Sequence, residues 1–171
     1  CGVSSADDGD RNSLHWSKNM TELPLVLAMT GASGAGFAIR LLQCLRHAGI
    51  PVQLTYSDAA LQVLRTELGL RIESCETKFR PELFGLDGDA LWWQRLSDSP
   101  PPDLGPQVQP EAPVEVYAVN DLSSPIASGS HLTRGMIICP CSSGSLAGIV
   151  NSLSENLQNR FFLIFSGETR C

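Results

Sequence analysis

The apolar positions in the first third of the chain fall into two patterns. A nearly continuous apolar run at residues 23–29, LPLVLAM, is typical of a strand buried on both faces of a parallel sheet. In residues 36–49 the apolar side chains recur at the spacing of a helix, and Gly49 is placed to end that helix. This stretch therefore predicts a strand followed by a helix.

The same order then repeats. Residues 50–56, IPVQLTY, predict a second strand. Ser57 is a suitable cap for a helix over residues 58–68, which Gly69 would end. Strands and helices that alternate with short links predict an α/β domain with a parallel sheet and right-handed crossovers.

The second half of the chain is less regular. A short helix is predicted at residues 89–96, and the six prolines of residues 99–113 predict an exposed loop. Apolar runs at residues 114–119 and 135–140 predict two more strands. A serine cluster then opens a predicted helix over residues 141–160.

Composition limits the classes of function. The 171 residues suffice for one domain, which we expect at residues 20–171, after a disordered extension at residues 1–19. A net charge of −6 without a basic stripe argues against a nucleic-acid surface, and no apolar run reaches the roughly 18 residues that span a bilayer.

The cysteines favour a reduced, cytoplasmic protein over a disulfide framework. Cys44 falls within a helical pattern, and Cys139 and Cys141 flank a proline at the end of an apolar run. That pair has the wrong spacing for a zinc knuckle, and His15, His47 and His131 pair with no second ligand, so no metal site is predicted.

Three turns with small polar residues follow predicted strands and open predicted helices. They are TGASGAG at residues 30–36, Ser57 with Asp58, and CSSGS at residues 141–145. Because the carboxyl ends of parallel strands share one edge of a sheet, we expect the segments of Gly31, Ser57 and Ser142 to converge within about 20 Å, the reach of one mononucleotide at a sheet edge.

The chemistry of these turns favours an anion. Backbone N–H groups at a helix start and serine hydroxyls are phosphate donors, and Asp58 could also bind a ribose. The glycine spacing is G-x-x-G-x-G, not the dinucleotide fingerprint G-x-G-x-x-G, and no P-loop lysine follows. A mononucleotide phosphate is favoured, while close packing of strand on helix remains the alternative explanation of the glycines.

Taken in order, the segments TGASGAG, YSDAA, DLSSPIASGS, GMIICPCSSGSLAGI and ENLQNR resemble the UbiX-type flavin prenyltransferases. The resemblance covers about residues 23–160. It implies a Rossmann-like, flavodoxin-type three-layer sandwich that is incomplete at its C-terminus. It also implies FMN binding without a metal, and transfer of a dimethylallyl group from dimethylallyl phosphate to N5 and C6 of the flavin.

The resemblance further implies that the product serves UbiD-type decarboxylases, with a role in ubiquinone biosynthesis, and that the protein forms a homo-oligomer, commonly a dodecamer. Matched by motif, the residues that would bind FMN or its phosphate end are Gly31, Ala32, Ser33, Ser57, Ser142, Ser145 and Arg160. The alternatives are that Ser57 and Ser142 only cap helices and that Arg160 is a solvated surface residue.

The family pattern is not recognisable after Arg160. The catalytic residues are therefore expected in a C-terminal part that is missing or altered, and this chain is expected to bind flavin without turning over. Two rivals remain. One is a relative of the flavin-dependent cysteine decarboxylases, which would need a catalytic histidine where His131 instead fits a loop. The other is a non-catalytic FMN-binding fragment.

Overall fold

The computed structural model describes residues 23–73, 78–86, 92–106 and 111–151. It contains a four-stranded, fully parallel sheet in the order β3-β2-β1-β4. The strands are β1 Leu25–Met29, β2 Val52–Tyr56, β3 Val114–Ala118 and β4 Gly135–Ile138. The predicted α/β fold with a parallel sheet is confirmed.

The order of the strands creates a switch point between β1 and β4. From β1 the chain moves outward to β2 and β3, and it then returns across the sheet to place β4 on the other side of β1. The strands also end almost level, because Met29 pairs with Tyr56 and Ala28 pairs with Ile138. Ligands of open parallel sheets bind outside the carboxyl ends of the strands at such a point.

Three helices follow the strands that carry the predicted turns. They are α1 Ala35–His47, α2 Asp58–Val63 and α3 Ser143–Val150. The regular helix predicted for residues 58–68 is wrong in its second half, because Leu64–Leu68 form a π-helical turn that ends at Gly69, whose φ is +74°. A π turn depends on the packing around it and has no pattern of apolar positions of its own.

The main core lies between one face of the sheet and the first two helices. Leu27, Met29 and Leu54 of the sheet pack there with Ile39 and Leu42 of α1. Phe37, one of the apolar residues of the helical pattern in residues 36–49, is largely exposed, because it projects from the first turn of α1 and lies beside Gly34.

The irregular segment between β2 and β3 adds aromatic side chains to the same core. Phe84 and Trp92 are both buried, and the Trp92 indole N–H donates to the carbonyl of Gly85 at 3.1 Å. The predicted helix at residues 89–96 is, in its described part, a 3-10 turn at Trp93–Arg95. The described residues of the proline-rich stretch form no helix or strand, as predicted.

The opposite face of the sheet is covered by a smaller apolar cluster. Val26 packs there with Ile126 and Ala127, which lie in and around a 3-10 turn, and with Met136. Within the described ranges, each helix is too short or too polar to cross a bilayer. The predicted disordered extension at residues 1–19 lies outside the described residues.

Candidate functional site

Thr30 joins the ends of β1 and β4. Its hydroxyl donates to the carbonyl of Pro140 at 2.7 Å and accepts from the backbone N–H of Ser142 at 2.7 Å. The Thr30 N–H also donates to the Pro140 carbonyl at 3.2 Å, and the side chain is buried. One residue therefore holds the glycine turn and the serine cluster next to each other.

Ser57 brings the third segment to the same edge. Its N–H donates to the carbonyl of Met29 at 3.1 Å, and its hydroxyl accepts from the N–H of Ala60 at 3.2 Å as the cap of α2. The predicted convergence of the Gly31, Ser57 and Ser142 segments is confirmed.

The packing of the turn against α2 requires glycine at position 31. A Cβ atom at this position would lie 2.4 Å from the Cβ of Ala59 in α2, a distance that real Cβ atoms do not adopt. The close approach of the turn to the next helix therefore explains the first glycine, which is the packing alternative raised from the sequence. Whether the backbone of this turn also contacts a flavin stays a prediction.

The N-terminus of α1 is capped from another element. Gly34, with φ of +102°, has no side chain to cap the helix. The carboxylate of Glu67 instead accepts from the Gly34 N–H at 3.1 and 3.2 Å, from the Ala35 N–H at 2.9 Å and from the Ser33 hydroxyl at 2.7 Å. A carboxylate suits this position because the free N–H groups and the helix dipole favour negative charge.

These contacts shift the pKa of the Glu67 carboxyl group. Burial alone would raise the pKa of its carboxyl group, but hydrogen bonds from Ser33 and from the Ala35 and Gly34 N–H groups outweigh it. The net effect holds the pKa of Glu67 below its ordinary value, so the group is a carboxylate at neutral pH.

The serine cluster after β4 forms the start of α3. The Ser142 hydroxyl accepts from the Ser145 N–H at 3.1 Å and donates to the Ser145 hydroxyl oxygen at 3.0 Å. This arrangement orients the Ser145 hydroxyl so that its own hydrogen can be donated outward. Ser143 and Gly144 are exposed in the same turn, and their backbone N–H groups are among those that a helix start leaves without an intrahelical acceptor.

The predicted site residues therefore have different outcomes. Gly31, Ala32 and Ser33 form the bend after β1 and lie near Ser57 and the serine cluster, whereas Arg160 lies outside the described residues. Two residues that join the site, Thr30 and Glu67, were not singled out from the sequence. Thr30 could have been found as a hydroxyl at the end of a strand, but Glu67 reaches the turn only through the π-helical segment.

His131 lies in a loop, as expected, and away from this edge. Its Nε2 atom is 2.9 Å from Oε1 of Gln53, and the amide group of Gln53 in turn donates to Glu115 at 3.1 Å. Since Gln53 is the second residue of β2, this hydrogen bond fixes His131 near the amino end of the strand. The glycine turn lies at the opposite, carboxyl end.

Comparisons with known proteins agree with this architecture. A flavin prenyltransferase UbiX from Halalkalibacterium halodurans is 36% identical over 135 residues, which are 78% of this chain and 53% of that protein. The chain thus spans about half the length of that curated relative.

Two solved structures are similar in fold. One is the crystal structure of AnUbiX (PadA1) in complex with FMN and dimethylallyl pyrophosphate, with a TM-score of 0.58 and 28% identity over 87% of this chain and 61% of that chain. The other is a dodecameric FMN-dependent UbiX-like decarboxylase from Escherichia coli O157:H7, with a TM-score of 0.58 and 27% identity over 86% of this chain and 63% of that chain. The Flavoprotein family matches residues 13–170, and the chain belongs to that family.

Proposed function

We propose that this protein is a flavin prenyltransferase that transfers a dimethylallyl group from dimethylallyl phosphate to FMN. The observation that carries the proposal is the convergence of the glycine turn, Ser57 and the Ser142–Ser145 turn at the switch point of the sheet. The similarity to UbiX proteins, one of them solved with FMN and dimethylallyl pyrophosphate, supports the choice of substrates.

The donors of the site fit a phosphate-bearing flavin. The hydroxyls of Ser57 and Ser145 and the backbone N–H groups at the start of α3 lie at the edge of the sheet where we place the mononucleotide. We propose that Ser142 and Ser145 hold the phosphate end and that Gly31, Ala32 and Ser33 contact the flavin, with Arg160 as a further ligand. FMN supplies the nucleophilic ring positions that take the prenyl group.

Glu67 is the side chain that we propose for proton transfer. The transfer breaks the allylic C–O bond of dimethylallyl phosphate and releases inorganic phosphate. Joining a carbon to an aromatic ring carbon also displaces the hydrogen of that ring carbon, which must leave as a proton. The Glu67 carboxylate is ionised, contacts Ser33 and lies at the turn itself, and it can accept that proton at Oε1 or Oε2. The other residues hold and orient the two reactants, an effect that contributes roughly 7–11 kcal/mol in well-ordered sites.

The remaining expectations follow from the same proposal. We infer a homo-oligomer, since the E. coli neighbour is dodecameric, and a UbiD-type decarboxylase in ubiquinone biosynthesis as the user of the product. We place the protein in the cytoplasm, where thiols such as those of Cys44, Cys139 and Cys141 stay reduced.

FMN binding tests the described half of the site. The purified chain should acquire flavin absorbance with FMN, and Ser142→Ala should weaken binding by tenfold or more, since it removes the hydroxyl that orients Ser145. Ser143→Ala is the matched control, because Ser143 is exposed in the same turn. A wild-type chain without flavin affinity, or equal losses in both variants, would contradict the proposal.

Prenyl transfer tests the reaction. The chain is incubated with reduced FMN and dimethylallyl phosphate, both alone and extended with the C-terminal segment of the H. halodurans relative, and the flavin is analysed by mass spectrometry. We expect prenylated flavin from the extended chain and none from its Glu67→Gln variant. Flavin that binds to the extended chain without being prenylated would favour the non-catalytic FMN-binding alternative.

The flavin-dependent cysteine decarboxylase alternative receives no support from His131, because its hydrogen bond to Gln53 holds it near the amino end of β2. A decarboxylase of that class would lose its activity in His131→Asn. The prenyltransferase should keep its activity in the same variant, so this substitution separates the two functions.

A further inference from the structure

We propose that Arg95 and Leu96 form a brace that positions Glu67 on the glycine turn. Glu67 and its hydrogen-bond donors belong to different elements, the π-helical turn after α2 and the first turn of α1. The two elements share the main core, in which Leu64 and Leu68 of the π-helical turn are buried. The brace contacts both elements at once.

Leu96 packs against α1 at Gly36. A Cβ atom on Gly36 would lie 2.2 Å from Cδ1 of Leu96, so the leucine side chain occupies the space that any other residue would fill. Gly36 is only two residues beyond Gly34, whose N–H donates to Glu67. The leucine therefore contacts α1 within one turn of the carboxylate.

Arg95 packs against the end of the π-helical turn at Gly69. The guanidinium carbon and one of its nitrogens would each lie 3.1 Å from a Cβ atom on Gly69. Gly69 is two residues beyond Glu67. Because Arg95 and Leu96 are consecutive, with Cα atoms about 3.8 Å apart, the two contacts couple the elements through a single residue step.

The brace is itself anchored in the core. It follows the buried Trp92, whose indole donates to the Gly85 carbonyl, and Trp93 donates to the carbonyl of Ser99 at 2.7 Å. The guanidinium of Arg40 in α1 lies 6.0 Å from the centroid of the Trp93 ring, which adds a second contact to that helix. The contacts of Trp92 and Trp93 therefore hold the adjacent residues Arg95 and Leu96 in place.

The inference rests on the proposed function only for the catalytic use of Glu67. The positioning itself is a property of the ligand-free chain. It predicts that the contact between Glu67 and α1 weakens when the side chain of Arg95 or Leu96 is truncated to alanine. Arg95 and Leu96 are thus positioning residues, which act on the site through Glu67.

Amide hydrogen exchange of Gly34 and Ala35 in the ligand-free chain tests this inference. Leu96→Ala should raise exchange at both amides several-fold, and Arg95→Ala should do so more weakly, while amides in β1 and β2 keep their protection. Leu122→Ala is the matched control, since Leu122 is 47% exposed and Leu96 is 49% exposed. Wild-type exchange at Gly34 and Ala35 in Leu96→Ala would overturn the proposal.

A double substitution separates positioning from general loosening. In a Glu67→Gln background, which replaces the charged acceptor, Leu96→Ala should cause little further exchange at Gly34 and Ala35. An equal further increase would show that Leu96 stabilises α1 without acting through Glu67, and would overturn the proposal. A titration by NMR should also find the carboxyl pKa of Glu67 closer to its ordinary value in Leu96→Ala. Absence of FMN binding would refute the proposed function and leave these results unaffected.

Discussion

Two regions of the molecule differ in how much of their apolar side chains they bury. The β1–α1–β2–α2 region buries most of its apolar side chains, as Leu54 at 0% exposure illustrates, with Phe37 as the exposed exception. In the β4–α3 region, Leu146 is 56% exposed and Val150 is 73% exposed among the residues that the structure describes. Yet both regions contribute residues to the candidate site, Gly31 and Ser57 from the first region and Ser142 from the second. The elements that position the site residues therefore need not bury their apolar side chains to the same extent.

The largest expected difference between the regions is in the cost of losing a leucine. Leu54→Ala should destabilise the chain by about 2–5 kcal/mol, because it removes buried methyl groups and leaves a cavity. Leu146→Ala should cost no more than about 0.5 kcal/mol. Urea unfolding of both variants measures the contrast, and equal costs would show that Leu146 is covered in solution.

The glycines of the two regions provide the next contrast. Gly31→Ala should destabilise the chain by about 1–3 kcal/mol, since the new methyl group would overlap Ala59. Gly144→Ala should be neutral or slightly stabilising, because its Cβ would meet nothing closer than the Ser142 hydroxyl at 4.0 Å and alanine favours a helix.

Chemical denaturation of these two variants and of Gly31→Ala/Ala59→Gly tests the cause. The second substitution should recover much of the lost stability by removing the overlapping methyl group. If it does not, the requirement for glycine at position 31 has another origin than the packing of α2.

The link between the regions should depend on one hydroxyl. Thr30→Val keeps the shape of the side chain but leaves the Pro140 carbonyl and the Ser142 N–H without this partner, at a cost of about 1–3 kcal/mol. Thr66→Val removes an exposed hydroxyl that donates to the Gln62 carbonyl, and should change stability by less than about 0.5 kcal/mol. Thermal unfolding compares them, and Thr30→Ser should behave like wild type.

The smallest effect is a pH dependence confined to the better-packed region. Because the folded state holds the pKa of Glu67 below its ordinary value, the carboxylate stabilises the fold above the pKa of an unfolded glutamate. That contribution should disappear as the pH falls through the lowered pKa. Glu67→Gln should lack this part of the acid-induced decrease in melting temperature, and Ser33→Ala should lie between the two.

The sequence revealed the elements of the site better than their connections. Periodicity predicted the four strands and the starts of α1, α2 and α3, because apolar spacing and capping residues act locally. Ser57 and Ser142 were found for the same reason, since each caps the helix that it precedes. Contacts made within a few residues leave a readable pattern.

Contacts made across the fold left no such pattern. Glu67 reaches Ser33 across 34 positions and through a π-helical turn, and periodicity predicted only an ordinary helix there. Trp92 and Phe84 lie in a stretch without periodicity, yet both are buried. The sequence of the glycine turn is compatible with a ligand-binding turn and with a packing contact, because Ala59, which requires glycine at position 31, is brought to it only by the fold.

The Thr30 link also has a consequence for the order of folding. The hydroxyl connects residues that are 110 positions apart in the chain, at Thr30 and Pro140, whereas β1 and β2 pair after a single helical crossover. Contacts between distant positions carry a larger loop-closure entropy and form more slowly. We therefore expect the Glu67 contact, which joins positions 34 residues apart, to form before the serine cluster docks against Thr30. A folding intermediate would then contain the glycine turn with its Glu67 contact, while the serine cluster was not yet docked.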